Sequence, residues 1–153
     1  PTPPKGVQPI KNFDASRYLG KWYEIARLEN RFERGMQQVT ATYGKRSDGG
    51  ISVLNRGYDP VKRKWSESEG KAYYTGEPTT AALKVSFFGP FYGGYNVIKL
   101  DDDYQYALVS GPDRDYLWIL SRTPTIPDAV KQDYLNTARS LGFRVDELVW
   151  VKQ

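Results

Sequence analysis

From Gly20 to Arg122 the chain is a succession of short segments that alternate with period two, rich in β-branched and aromatic residues and each ended by a turn signal. No helical period interrupts the series. A parallel sheet needs a long crossover, usually a helix, between neighbouring strands, so these strands must run antiparallel, each beside the next. The segments fall at Gly20 to Leu28, Gln38 to Arg46, Ile51 to Tyr58, Trp65 to Tyr74, Ala81 to Phe88, Tyr95 to Leu100, Tyr104 to Ser110 and Tyr116 to Arg122. A sheet in this order has two raw edges, and closure into a barrel removes both. The eight segments predict a barrel at the size where the interior either fills with side chains or holds one small ligand.

After Arg122 the period changes. Val130, Tyr134, Ala138 and Leu141 fall on one helical stripe, with Pro127 and Asp128 before it and Gly142 after it. The outside of the barrel is the surface such a stripe can cover. A short strand, Leu148 to Val151, is expected to rejoin the sheet. At the other end, residues 1–12 open with a proline-rich run and show no apolar period, so they read as an extended lead or tether outside a single domain of residues 13–153.

Composition removes whole classes of function. The chain has no Cys and no His, which excludes thiol nucleophiles, disulfides, His-assisted triads, zinc fingers and His-ligated haem. No cofactor and no metal is expected. The net charge of +4 comes from Lys and Arg scattered singly, unlike a nucleic-acid footprint, so no nucleic-acid partner is expected. No apolar run is long enough for a membrane-spanning helix.

Strict up-and-down order brings Gly20, the Asp101 to Asp103 turn and Arg122 to the same end. There Arg122 can stack on Trp22 and close the barrel floor, a structural role worth about 0.5 to 2 kcal/mol. Gly20-x-Trp22, Asp103-Tyr104-x-Tyr106-Ala107-Leu108-Val109 and Arg122 at the end of the eighth strand resemble, in order, the three signature segments of the lipocalins. With WYEIAR, SFFGPFYGGYN and GPDRDYLWILSRTP, the resemblance spans essentially the whole chain and is strongest to the bacterial members. It implies an eight-stranded calyx that binds fatty acids, lysophospholipids or similar lipids, and a lipoprotein on the periplasmic face of the cell outer membrane, anchored through an N-terminal Cys. The chain has no Cys to acylate, and the lead fits a tether just after such an anchor.

The opposite end is then the mouth, built from Glu29 to Gln37, Asp59 to Lys64, Gly89 to Gly94 and Gly111 to Asp115. Phe32, Met36, Phe88, Phe91 and Tyr92 lie in or beside these loops, where turns ordinarily carry polar residues, and suggest a hydrophobic gate. Arg31, Arg34, Lys62, Arg63 and Arg114 are placed to meet a head group. For the interior, Lys84 and Ser86 facing water turn Leu83, Val85 and Phe87 inward, and Lys99 facing water turns Asn96, Ile98 and Leu100 inward. Val39, Ala41, Val53, Asn55, Ala107 and Val109 are smaller inward candidates, and the resemblance turns Trp118 inward, with Tyr116 on the same face.

Glu67 and Glu69 share a face with Trp65 and Lys71 and read as a solvated outer wall rather than paired catalytic carboxylates. Glu24 shares a face with Trp22 and reads as a buried, hydrogen-bonded carboxyl. The sequence thus favours a non-catalytic carrier of a small hydrophobic ligand, a fatty acid or lysophospholipid, with a membrane surface as second partner if the chain is lipidated. A lipid- or isoprenoid-modifying enzyme on the same barrel, or a filled barrel that self-associates through its aromatic rim as a homodimer, are the alternatives.

Overall fold

A computed structural model describes residues 2–153. Eight strands, β1 (Gly20–Leu28), β2 (Gln37–Lys45), β3 (Ile51–Asp59), β4 (Lys64–Tyr74), β5 (Ala82–Phe88), β6 (Phe91–Leu100), β7 (Tyr106–Ser110) and β8 (Leu117–Ser121), pair antiparallel in sequence order. β1 pairs with both β2 and β8, so the sheet closes into the expected barrel. A one-turn helix, α1 (Ala15–Tyr18), precedes β1, and α2 (Asp128–Ser140) follows β8. The last strand, β9 (Leu148–Trp150), lies antiparallel to the mouth half of β1, where β2 has parted from it. The Gln153 side-chain amide then bridges the Glu24 and Val39 carbonyls and holds that seam together.

Two apolar clusters share the barrel wall. Inside lie Trp22, Tyr43, Val53, Leu83, Val97 and Leu120 with their neighbours. Outside, Tyr134 and Ala138 of α2 pack on Ile25, Ala26, Leu108 and Ile119, and the Tyr134 hydroxyl donates to the Tyr106 carbonyl. The helical stripe therefore covers the outer wall, as its period requires.

The floor is the end marked by the signature residues. The Arg122 guanidinium carbon sits 3.8 Å from the Trp22 ring centroid, and its nitrogens donate to the carbonyls of Tyr104, Lys21 and Arg17. Gly20 adopts a positive φ of 100°, and a Cβ there would come within 3.4 Å of Arg122. The signature pair is thus one interlocked device, in which the glycine's left-handed backbone leaves room for the arginine.

The N-terminal lead is docked, not free. Ile10 donates to the Val97 carbonyl and accepts from the Ala81 amide, Phe13 donates to Thr79, Lys5 accepts from Arg114, and Val7 is buried in the outer cluster. It climbs the outside of the barrel from the floor at Phe13 to the mouth loop at Arg114. A polyproline-like stretch can bury an occasional apolar side chain with no period, which its composition concealed.

Candidate functional site

The interior changes character from floor to mouth. Along the uninterrupted β3–β4 pairing the inward pairs are Ile51 with Ala72, Val53 with Gly70, Asn55 with Ser68 and Gly57 with Ser66. Ile51, Val53 and Ala72 are buried, whereas Ser66 and Ser68 are exposed although they point into the barrel. The mouth half is therefore an open funnel with small polar residues on this wall.

The floor half is filled. Tyr18, Tyr43 and Tyr95 meet at the barrel axis, with the Tyr95 hydroxyl 2.7 Å from each of the other two. Burial raises the pKa of all three well above the usual phenol range, so they remain neutral hydrogen-bonding groups. Between them and Phe13, Leu83 and Val85 remains a cavity of about 10 Å³, close to the space of one water. A larger hollow of about 520 Å³ lies against β3–β5, walled by the outward-facing Arg46, Leu54, Glu69 and Lys71 together with Phe87 and Phe88, and is broadly open to solvent.

A polar cluster braces one side of the funnel. A bulge between Glu24 and Ala26 shifts the β1 register, so that Arg27 lies opposite the inward Trp118. Arg27, 1% exposed, donates to Glu24 at 3.0 Å, to Glu29 at 2.8 Å and to the Met36 carbonyl at 3.1 Å. Glu33 folds in from the β1–β2 loop and accepts from Trp118 Nε1 at 2.9 Å and from Asn30 Nδ2 at 2.8 Å. Three carboxyls thus face one guanidinium. Burial, then the neighbouring Glu33, push the Glu24 carboxyl well above the usual range, outweighing Arg27. Glu24 is thereby biased towards its neutral form, and its bond to Arg27 helps fix the loop.

Of the sequence-predicted site residues, Val53, Leu83 and Val85 lie in or against the inner cluster, Trp118 is half-buried against it, and Tyr116 stacks on Trp118 at 6.2 Å between ring centroids. Asn55 shares the inward face, whereas Phe87 follows the β5 bulge, its ring against Gly70 and on the wall of the hollow beside β3–β5. Met36 packs beside Gly57, while Phe32, Phe88 and Phe91 stand exposed on the rim.

Three residues are placed otherwise. A bulge between Val97 and Lys99 restores the outward direction of Lys99, so the parity that Lys99 implies does not extend to the first part of β6. Ile98 packs in the outer cluster and Asn96 hydrogen-bonds the Ser110 and Gly111 carbonyls, while Tyr95 and Val97 occupy the inner cluster. Tyr92 is also outside: Lys84 sits 4.7 Å over its ring and Tyr73 packs beside it. The expected Gly89 to Gly94 loop is only Gly89 and Pro90, because Gly93 and Gly94 pair with Val85 and Lys84 and extend the β5–β6 hairpin. Arg27 and Glu33 carry no signal in their spacing, because a bulge and a folded loop set their directions, whereas Tyr43 follows the inward alternation of Ala41.

The family model of the lipocalin-like domain matches residues 13–153 of this chain. The chain belongs to the lipocalin family. It is 68% identical over 153 residues to the outer membrane lipoprotein Blc of Citrobacter freundii, covering all of this chain and 86% of that one. To the Vibrio cholerae outer membrane lipoprotein Blc it is 53% identical, over 98% of this chain and 88% of the relative. To rat apolipoprotein D it is 36% identical over 83% and 68% of the two chains. Among solved structures, insecticyanin of the tobacco hornworm Manduca sexta superposes with a TM-score of 0.78 at 22% identity, over all of this chain and 87% of its own, and shares the fold. Binding of small hydrophobic molecules in the barrel is the general role of lipocalins.

Proposed function

We propose that this lipocalin takes a single-chain lipid, a fatty acid or a lysophospholipid, tail-first into the funnel and carries it without altering it. The observation that carries the reading is the exposed inner face at Ser66 and Ser68, above the inner cluster against which Val85 and Trp118 pack. From the Gly57–Ser66 pair to the Val53–Gly70 pair is four residues, roughly 13 Å of strand, or about 10 Å along a barrel axis tilted about 40°. That depth takes about eight methylenes, worth on the order of 6 kcal/mol before the entropic cost of binding. A longer tail must lean on the rim at Phe87 and Phe88 or displace Tyr95. An exposed ion pair to Arg31 or Lys62 adds about 0 to 1 kcal/mol, so the tail sets affinity and selectivity among head groups is broad.

Glu24 is bonded to Arg27 and buried beside Glu33, which supports a bracing role over an acid–base one. The Citrobacter and Vibrio relatives, both outer membrane lipoproteins by name, support a place at the outer membrane as a lipoprotein. Native mass spectrometry of the purified protein, before and after refeeding with a fatty acid or lysophospholipid, tests the ligand class. A one-to-one adduct with either is expected, and a protein that stays bare after refeeding would sink the proposal.

A further inference from the structure

We propose that the open rim is a docking surface for an anionic phospholipid bilayer, with the mouth turned to the membrane. The exposed large apolar side chains gather at one end. Phe32 is 70% exposed on the β1–β2 loop, Val61 89% on the β3–β4 loop, and Phe88 and Phe91 79% and 71% on the β5–β6 hairpin. Such a patch on three separate loops costs solubility unless a partner uses it.

The charges of these loops decide which partner fits. Arg31, Arg34, Lys62, Arg63 and Lys64 are all exposed, and none is in an ion pair among the described residues. Arg31 lies over the Phe32 ring at 4.9 Å. The carboxylates of the same loops are engaged within the protein: Glu29 accepts from Arg27, Glu33 from Trp118, and Asp59 from the Val61 and Lys62 amides. The rim thus offers apolar tips among free cations, the combination that enters an anionic lipid interface, whereas a second copy would set cations against cations. The acidic turn Asp101 to Asp103 lies at the far end. The fourth mouth loop stays out of the dock, since Arg114 is spent on the Lys5 and Leu141 carbonyls and Asp115 on Arg144. It is instead where the N-terminal lead arrives, so that lead approaches a bilayer from the same side.

The test is co-sedimentation of the 153-residue protein with vesicles of phosphatidylglycerol and phosphatidylcholine in equal parts, against phosphatidylcholine alone. Binding is expected only to the anionic vesicles and is lost at high salt. The triple change Arg31→Gln, Lys62→Gln, Arg63→Gln lowers partitioning roughly 100-fold, and Phe88→Ser with Phe91→Ser lowers it at least about tenfold. A matched set on the floor side, Lys11→Gln, Lys21→Gln, Lys45→Gln, removes the same charge and loses less than about threefold if orientation matters. Equal losses from the two charge sets, or no binding by the parent protein, would overturn the dock. So would sedimentation velocity showing that the Phe88→Ser, Phe91→Ser protein loses a dimer while keeping its vesicle binding. The proposal goes beyond the ligand reading and fails separately: uptake of a fatty acid from solution with no vesicle binding refutes the dock alone, and vesicle binding with no uptake refutes the ligand alone.

Discussion

Tyr95→Phe removes one oxygen from the centre of the barrel and is expected to cost more than either of its neighbours. Its hydroxyl lies 2.7 Å from those of Tyr18 and Tyr43, and neither of these has another side-chain or backbone partner among the described residues. Losing the central oxygen leaves two buried hydroxyls unpaired, at about 1 to 3 kcal/mol each, so Tyr95→Phe destabilises by about 2 to 6 kcal/mol. Tyr18→Phe or Tyr43→Phe leaves Tyr95 with one partner and costs about 1 kcal/mol. The triple Phe variant has no orphaned group and returns close to the parent. Urea unfolding followed by Trp fluorescence reads these differences, since about 2 kcal/mol moves the midpoint by about 1 M for a typical slope. A Tyr95→Phe protein within about 0.5 kcal/mol of the parent, or a triple variant as costly as the three singles summed, would refute the idea that this layer seals the funnel.

Replacing Arg122 by Gln removes the contact with Trp22 and three hydrogen bonds to carbonyls, and thermal or urea unfolding should register a loss of about 2 to 4 kcal/mol. Arg122→Lys, which lacks the planar fork, recovers less than half of it. Because the folded protein holds a proton on Glu24 that the unfolded chain releases near pH 4.3, this group stabilises fully below that pH and loses its contribution as pH rises towards its raised folded pKa, by about 1.4 kcal/mol per unit. The stability difference between Glu24→Gln and the parent should therefore drift in the variant's favour as pH rises from about 4 to 7, and a flat difference would contradict a protonated Glu24. Tyr95→Ala opens the floor half to the ligand and should raise the affinity for longer fatty acids relative to short ones in competition titrations, at a cost in stability.

The fold was readable because period-two alternation and turn residues act locally: the strands of the barrel, its closure and the outer helix all follow from neighbours in sequence. The floor was readable for another reason, since Gly20, Trp22 and Arg122 each need a rare backbone or ring geometry that few residue types can supply. The interior was legible only where the register ran unbroken. On β3 and β4, alternation places Val53 and Asn55 correctly, but on β6 one bulge turns Ile98 out to the helix and Tyr95 in to the axis. Nothing in LDDDYQ or YNVIKL announces that bulge. Arg27 is the sharper case, because a charged residue three places after Glu24 reads as solvent-facing until the β1 bulge carries it inside to a carboxyl partner. The rim aromatics were visible as residues out of place in turns, yet their separation into inner, outer and exposed positions depends on how far the β5–β6 hairpin extends.

A lipid tail seated in the mouth half of the barrel lies beside Trp118, which packs against the inner cluster. Titrating a delipidated sample with a fluorescent fatty acid while following Trp emission, in the parent and in Trp118→Phe, reads that placement. Saturable one-to-one uptake with an emission change that disappears in the variant is the result expected here. Absence of saturable uptake, or uptake whose emission change survives loss of Trp118, would contradict a ligand seated in this funnel.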